Sequence, residues 1–182
     1  MPESTNVTLL ELSARYLVGG NEQVLQRYPT DRDFLVVPPA DDKSPPLQWT
    51  SSNSQILGNT TLCEIPKTVL AHYASPRSII TPISKRSRNN FEAVCLGRSD
   101  EADIRFTCPT VSKIHAKFFK KGNRLLLSDQ QSTNGTFIKD YRLLPDSVGE
   151  IAPTQELKFG IVKCVYLDLE QLLDLVKLAA KR

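Results

Sequence analysis

The sequence predicts an all-β fold, in which short strands form an antiparallel β-sandwich. Strand-type runs recur at close intervals after residue 78, and turn residues such as Lys121-Gly122-Asn123 separate them. Several short strands at this spacing are typical of sandwiches. The runs are residues 79–83, 91–96, 103–106, 116–119, 124–127, 136–138 and 161–167.

The N-terminal part predicts mixed structure. Apolar residues recur at helical intervals between residues 5 and 17, and Gly19-Gly20 should end that helix. The stripe consists of Val7, Leu10, Ala14 and Leu17, widened by Leu9, Leu12 and Tyr16.

A strand is predicted over residues 34–37, where Pro38-Pro39 closes an apolar run. Residues 38–54 contain four prolines and predict a loop or linker with Trp49 as its anchor. Short apolar pieces in residues 55–69 favour an irregular layer on the sandwich over a small separate domain, because few aromatics are present to build a core.

The C-terminal residues predict a helix that lies on the sandwich. Leu169, Leu172, Leu173 and Val176 follow helical spacing. Asp168 and Gln171 have the spacing of a capping box, which marks a helix start.

Composition is that of an ordinary globular chain, with 40% hydrophobic and 24% charged residues. No apolar run approaches the roughly 18 residues that span a bilayer, and no secretory signal is visible, so we expect a cytoplasmic protein. The four cysteines form no C-x-x-C pair and the two histidines are isolated, so neither a metal site nor a disulfide framework is predicted. No cofactor is expected either.

Charge is unevenly distributed along the chain. Residues 1–74 have five Lys/Arg and eight Asp/Glu, a net of −3, and residues 75–182 have eighteen and twelve, a net of +6. A basic second half suits an anionic partner, and on charge alone this could be a phosphorylated peptide or a nucleic acid.

Polar loop segments between residues 97 and 136 are the candidate binding site. They are Gly97-Arg98-Ser99, the segment 111–116 that contains Ser112 and His115, and Ser132-Thr133-Asn134-Gly135. Arg98 offers a planar charged fork, Ser112, Ser132 and Thr133 offer hydroxyl donors, and Asn134 offers an amide that can bind a peptide backbone. These groups suit a phosphate carried on a peptide.

The ordered set Gly-Arg, Ser-x-x-His and Ser-x-Asn-Gly resembles the forkhead-associated (FHA) domain over roughly residues 77–168. The resemblance implies an FHA-type antiparallel β-sandwich that binds phosphothreonine. It divides the chain into an N-terminal extension or accessory region (1–76), the FHA domain (77–168) and a C-terminal helix (169–182). The basic run 85–88 is similar to that of bacterial FHA proteins and indicates a bacterial adaptor.

The resemblance also implies roles for the loop residues. Arg98 and Ser112 should bind the phosphate, with Lys113 and Thr133 beside it, and Asn134 should bond the peptide main chain. Gly97, His115 and Gly135 should support the loops. Ser112-x-x-His115 could also suggest a nucleophile and base, but no orienting acid or nucleophile elbow accompanies it. His72 has no partner signal.

The expected function is therefore reversible, non-catalytic binding of phosphothreonine in partner proteins that a Ser/Thr kinase phosphorylates. No membrane partner is expected. Two alternatives remain at this point: a basic nucleic-acid-binding protein, although cations are not interleaved with aromatics here, and a structural sandwich with an idle pocket.

Overall fold

The computed structural model describes residues 6–39, 70–71, 73–86 and 93–181. Within these ranges lie twelve strands and the helices α1 (Leu9–Arg27) and α2 (Leu169–Ala180), and Leu70, Ala71 and Tyr73 are also helical. The strands are β1 Val7–Thr8, β2 Asp33–Val37, β3 Ile79–Pro82, β4 Val94–Gly97, β5 Ile104–Arg105, β6 Ala116–Lys121, β7 Arg124–Asp129, β8 Thr136–Ile138, β9 Tyr141–Arg142, β10 Val148–Ile151, β11 Glu156–Phe159 and β12 Val162–Asp168.

The described strands form two sheets, and this arrangement confirms the predicted sandwich. The larger sheet has the order β1-β3-β2-β12-β11-β8-β9, and the smaller sheet has the order β10-β7-β6-β4-β5. Pairing is antiparallel except between β4 and β5, which are parallel. The sequence did not predict β1, β9, β10 or β11. In β10 and β11 charged residues interrupt the apolar pattern, since Glu150 and Lys158 alternate with inward-facing residues.

Two apolar layers hold the described residues together. One lies between the sheets and includes Leu96 and Phe118 from the smaller sheet and Leu157 and Phe159 from the larger. The other lies on the outer face of the larger sheet, where both helices pack against residues such as Phe34. Burial of this apolar area is the main stabilising contribution.

The N-terminal region contributes directly to the sandwich. Strand β2 pairs with β3 on one side and with β12 on the other, so it lies inside the larger sheet. Its residues 33–36 are buried. The domain limit between residues 76 and 77 stays a prediction, but the larger sheet includes two strands from before it.

Helix α1 differs from its prediction in two ways. Gly19 and Gly20 leave the helical region of φ/ψ space, as expected, but the helix resumes and continues to Arg27. Only part of the predicted apolar stripe is buried, because Leu9 and Leu12 are fully buried whereas Leu10 and Leu17 are 62% and 70% exposed. Ser13 lies on the same buried face and donates its hydroxyl to the Leu9 carbonyl.

The predicted C-terminal helix is confirmed, together with its start. The Asp168 carboxylate accepts from the Gln171 backbone N–H at 2.9 Å, and the Gln171 side chain accepts from the Asp168 N–H at 3.2 Å. This capping box satisfies donors at the helix end that would otherwise lack partners. Leu172, Leu175 and Val176 are buried. The predictions for residues 40–69, including Trp49, for His72 and for the basic run beyond Arg86 lie outside the described residues.

Candidate functional site

The predicted binding loops lie together at one end of the sandwich. Backbone hydrogen bonds join the first two, from Arg98 N to the Ser112 carbonyl (2.9 Å) and from Ser99 N to the Lys113 carbonyl (3.1 Å). The third loop joins them through the Thr133 N–H, which donates to Ser112 Oγ at 3.1 Å. Ser112 therefore contacts both of the other loops.

Gly97 makes the close approach of the first two loops possible. A Cβ at this position would lie 2.0 Å from the carbonyl oxygen of Lys113, which is backbone and cannot move aside cheaply. This contact supports the structural role that the resemblance implied for Gly97.

Arg98 is exposed at the rim of the site, and the base of its guanidinium is fixed. Its Nε donates to the Val111 carbonyl at 3.1 Å. Its terminal Nη groups have no partner among the residues that the structure describes. A guanidinium held at Nε presents the remaining N–H donors in a defined direction, which suits an oxyanion.

Ser112 and Thr133 place hydroxyl groups next to each other. Their oxygen atoms are 3.5 Å apart. Ser112 Oγ accepts from the Thr133 N–H and is the donor in the long contact to Thr133 Oγ1, so its proton is only weakly engaged within the protein. Lys113 is exposed beside Ser112. The second and third loops thus place two hydroxyls next to each other, and the residue that follows Ser112 is an exposed lysine.

Asn134 is exposed and already held by the protein. Its Nδ2 donates to the Thr110 carbonyl at 2.8 Å. That bond orients the amide and leaves Oδ1 able to accept from a peptide N–H. The amide is thus anchored within the loops rather than directed wholly outward.

His115 lies fully buried beneath these loops. Its Nδ1 accepts from the Ser112 N–H at 3.0 Å, so the ring proton must lie on Nε2. Nε2 donates that proton to the Gly135 carbonyl at 3.2 Å. Burial lowers the pKa of the imidazole and favours this neutral form. The ring therefore connects the second loop to the third.

Asp129 is a bracing residue that sequence reasoning missed. It is buried at the end of β7, and its carboxylate accepts from the Ser132 N–H (3.0 Å) and from the hydroxyls of Ser132 and Thr136 (both 2.5 Å). The signal was an Asp at the end of a strand run and just before a polar turn, where Asp side chains often bond nearby backbone groups. Ser132 was expected to face the ligand, but this is wrong, because its hydroxyl is buried and bonded to Asp129.

The turn between β11 and β12 also joins the site, which the sequence did not predict. Gly160 has φ of +62°, and a Cβ there would lie 2.6 Å from the Thr110 carbonyl oxygen. The Ile161 N–H donates to Thr110 Oγ1 at 3.2 Å, and the Gly160 N–H donates to the Gly135 carbonyl at 3.0 Å. Gly135 itself has φ of +83°, a region that favours glycine.

The described ranges contain no group of three or more His, Cys, Asp or Glu side chains that could hold a metal ion. Cys95, Cys108 and Cys164 are present there as free thiols. No helix in that part of the chain is long and apolar enough to cross a membrane.

Comparisons with known proteins show which family the segment with the binding loops is similar to. The family model described as the FHA domain matches residues 94–160, a segment that contains all the predicted binding loops. No curated protein matches the sequence.

Solved structures that resemble the chain include FHA domains from distant sources. The FHA domain of CT664 from Chlamydia trachomatis is 15% identical, with a TM-score of 0.47, over 75% of this chain and 97% of that one. The N-terminal FHA domain of Rad53p from S. cerevisiae, solved with a phosphothreonine peptide, is 18% identical, with a TM-score of 0.43, over 52% of this chain and 88% of that one. By the family match, residues 94–160 of this chain are similar to the FHA domain.

Proposed function

We propose that this chain binds phosphothreonine in partner proteins through Arg98, Ser112, Lys113, Thr133 and Asn134. The observation that carries the proposal is that Ser112 joins the three loops: its carbonyl accepts from Arg98 N–H, and its Oγ accepts from Thr133 N–H and lies 3.5 Å from the Thr133 hydroxyl. A phosphothreonine has close to two negative charges and three acceptor oxygens. A guanidinium, an ammonium and two hydroxyls match that group in both charge and hydrogen-bond polarity.

Asn134 would read the peptide rather than the phosphate. Its Oδ1 is available to accept from a main-chain N–H next to the phosphothreonine, while Nδ2 holds the Thr110 carbonyl. The support for a defined pocket comes from the bracing behind it: His115 links Ser112 to Gly135, and Asp129 fixes the turn that presents Thr133. A site held in this way loses little conformational entropy on binding.

The arrangement favours binding over catalysis. A general base must lie within hydrogen-bond reach of the proton that it removes. Both ring nitrogens of His115 bond to backbone groups, and neither is directed at Ser112 Oγ. In this reading the protein is a cytoplasmic adaptor, and a Ser/Thr kinase creates its ligand.

The test is an array of peptides in phosphorylated and unphosphorylated pairs, combined with a duplex DNA titrated at several salt concentrations. We expect binding only to phosphothreonine members. Equal binding of both members of each pair would contradict the proposal. Binding to DNA of many sequences with a steep fall at higher salt would favour the nucleic-acid alternative. Absence of binding to every peptide would favour an idle pocket.

Hydrolysis of ester or phosphoester substrates by the wild type but not by a His115→Ala variant would contradict the non-catalytic reading.

A further inference from the structure

A row of basic and aromatic side chains crosses the outer face of the larger sheet beside the binding loops. Phe137 on β8 pairs in register with Arg142 on β9 and with Lys158 on β11. Residues that pair across neighbouring strands project from the same face with their Cβ atoms about 4.5–5.5 Å apart. We name Arg142, Phe137 and Lys158 the basic row.

The members of the basic row contact each other and the third binding loop. The Lys158 ammonium lies 3.8 Å from the centroid of the Phe137 ring, a cation–π contact. Arg142 lies over Gly135, because a Cβ built on that glycine would be 2.6 Å from Arg142 Nε. Gly135 directly follows Asn134, so the basic row is continuous with the proposed phosphopeptide site.

The positive charge of the row is not neutralised within the described residues. Neither Arg142 nor Lys158 has a carboxylate partner among them. The next cation along the register, Lys163 opposite Lys158, does have one, since its ammonium is 3.9 Å from Glu156. The helices pack over other strands of this face, against residues such as Phe34 and Leu167, and Arg142 is exposed.

We propose that the basic row binds a second anionic side chain of the same ligand, either an Asp or Glu or a second phosphorylated residue. This inference rests on the proposed function. Phe137 is three residues from Asn134, so their Cα atoms are at most about 10 Å apart, a distance that three residues of an extended peptide also span. A ligand held at Asn134 therefore brings residues within a few positions of its phosphothreonine onto the row. Continuity with the Asn134 loop favours a peptide over a nucleic acid as the source of the anion.

The test uses phosphothreonine peptides in which each position from four before to four after the phosphothreonine is Ala, Glu or phosphoserine. The measured quantity is the ratio of Kd between the Ala peptide and the anionic peptide at each position. We compare the wild type with an Arg142→Gln/Lys158→Gln double variant, which keeps the length of the side chains. Lys121→Gln is the matched control, because Lys121 is an exposed lysine on the smaller sheet.

We expect the wild type to prefer an anion at one or two positions by about three- to tenfold, which is the range for a pair of exposed charge contacts. In the double variant the ratio should fall to about one, and in Lys121→Gln it should match the wild type. Preference for phosphoserine over Glu would identify a doubly phosphorylated ligand, and equal preference would identify an acidic one. The proposal would be overturned by a wild type that shows no preference for an anionic peptide, or by a double variant that keeps the wild-type preference. It would also be overturned if the double variant lost only its binding to DNA. Failure of the proposed function looks different, because then no phosphothreonine peptide binds the wild type in an Arg98-dependent way.

Discussion

The Nδ1 atom of His115 accepts a hydrogen bond from the backbone N–H of Ser112 at 3.0 Å. This bond ties a fully buried ring to the residue that contacts both other binding loops. Since Nε2 of the same ring donates to the Gly135 carbonyl, the imidazole is a bridge between the loop of Ser112 and the loop of Asn134. The edge of the ring also packs against Phe159, with centroids 5.8 Å apart.

His115→Ala should destabilise the fold. The change leaves a cavity and a Ser112 N–H without its partner, and we expect a loss of about 2–4 kcal/mol in the free energy of unfolding. Urea denaturation followed by far-UV circular dichroism measures it. Lys113→Ala is the control, because this exposed neighbour should change stability by less than about 0.5 kcal/mol. A His115→Ala protein as stable as Lys113→Ala would contradict the bridging role.

Stability should decrease as the pH falls below about 6.5, the ordinary pKa of histidine. Burial lowers the pKa of His115 in the folded state, so between the folded and unfolded pKa values the unfolded chain binds more protons. The stability that neutral His115 contributes is fully present above the unfolded pKa and is lost as the pH falls. For one group, the free energy of unfolding then changes by at most about 1.4 kcal/mol per pH unit.

The measurement for this pH effect is the urea midpoint from pH 5 to pH 8 in the wild type and in His115→Gln. Other titrating groups contribute equally to both proteins, so the difference between the two curves isolates His115. Parallel curves over the whole range would contradict the assignment of the neutral, buried imidazole.

Local sequence signals predicted the features that depend on neighbours in the chain. The capping box of Asp168 and Gln171 needs only residues three apart, and it was found. Helix α1 shows the limit of such signals, because its apolar stripe is wide enough to form two possible buried faces. Packing against the larger sheet buries Leu9 and leaves Leu10 exposed. Arg142 was likewise not predicted, since its position over Gly135 depends on the pairing of β8 with β9.

Arg98→Ala should remove most phosphopeptide binding while the fold survives. A lost charge-assisted hydrogen bond is worth roughly 1.5–3 kcal/mol, or about ten- to a hundredfold in Kd. Calorimetric titration of a phosphothreonine peptide measures the effect. Arg105→Ala is the matched control, because that exposed guanidinium pairs with Asp100 at 2.5 Å and should leave Kd within about twofold. Unchanged titration of a folded Arg98→Ala protein would exclude the phosphate role.

Asp129→Asn should weaken both stability and binding. The substitution puts an amide N–H where a carboxylate oxygen accepts from Ser132 or Thr136, and we expect a loss of about 1–3 kcal/mol in unfolding free energy. Phosphopeptide affinity should also fall, because the turn that presents Thr133 is loosened. Asp146→Asn is the control, since this exposed carboxylate accepts from the Gln131 side chain. Equal effects of the two substitutions would mean that Asp129 does not brace the loop.

On one peptide backbone, phosphothreonine should bind better than phosphoserine, and phosphoserine better than Asp or Glu. If the loops of Ser112 and Asn134 hold the threonine methyl group, as the FHA resemblance implies, its burial alone should contribute on the order of 0.8 kcal/mol. Packing of the methyl group should also position the phosphate against Arg98 and Ser112, where directional charge-assisted bonds are strongest. An Asp or Glu side chain has one charge and two oxygens in a plane, so it cannot satisfy the same donors.

Titration of the four peptides against one protein preparation gives the order directly. Equal affinity for phosphothreonine and phosphoserine would refute the methyl contact but leave the phosphate contact intact, whereas a Glu peptide that binds as tightly as phosphothreonine would refute both.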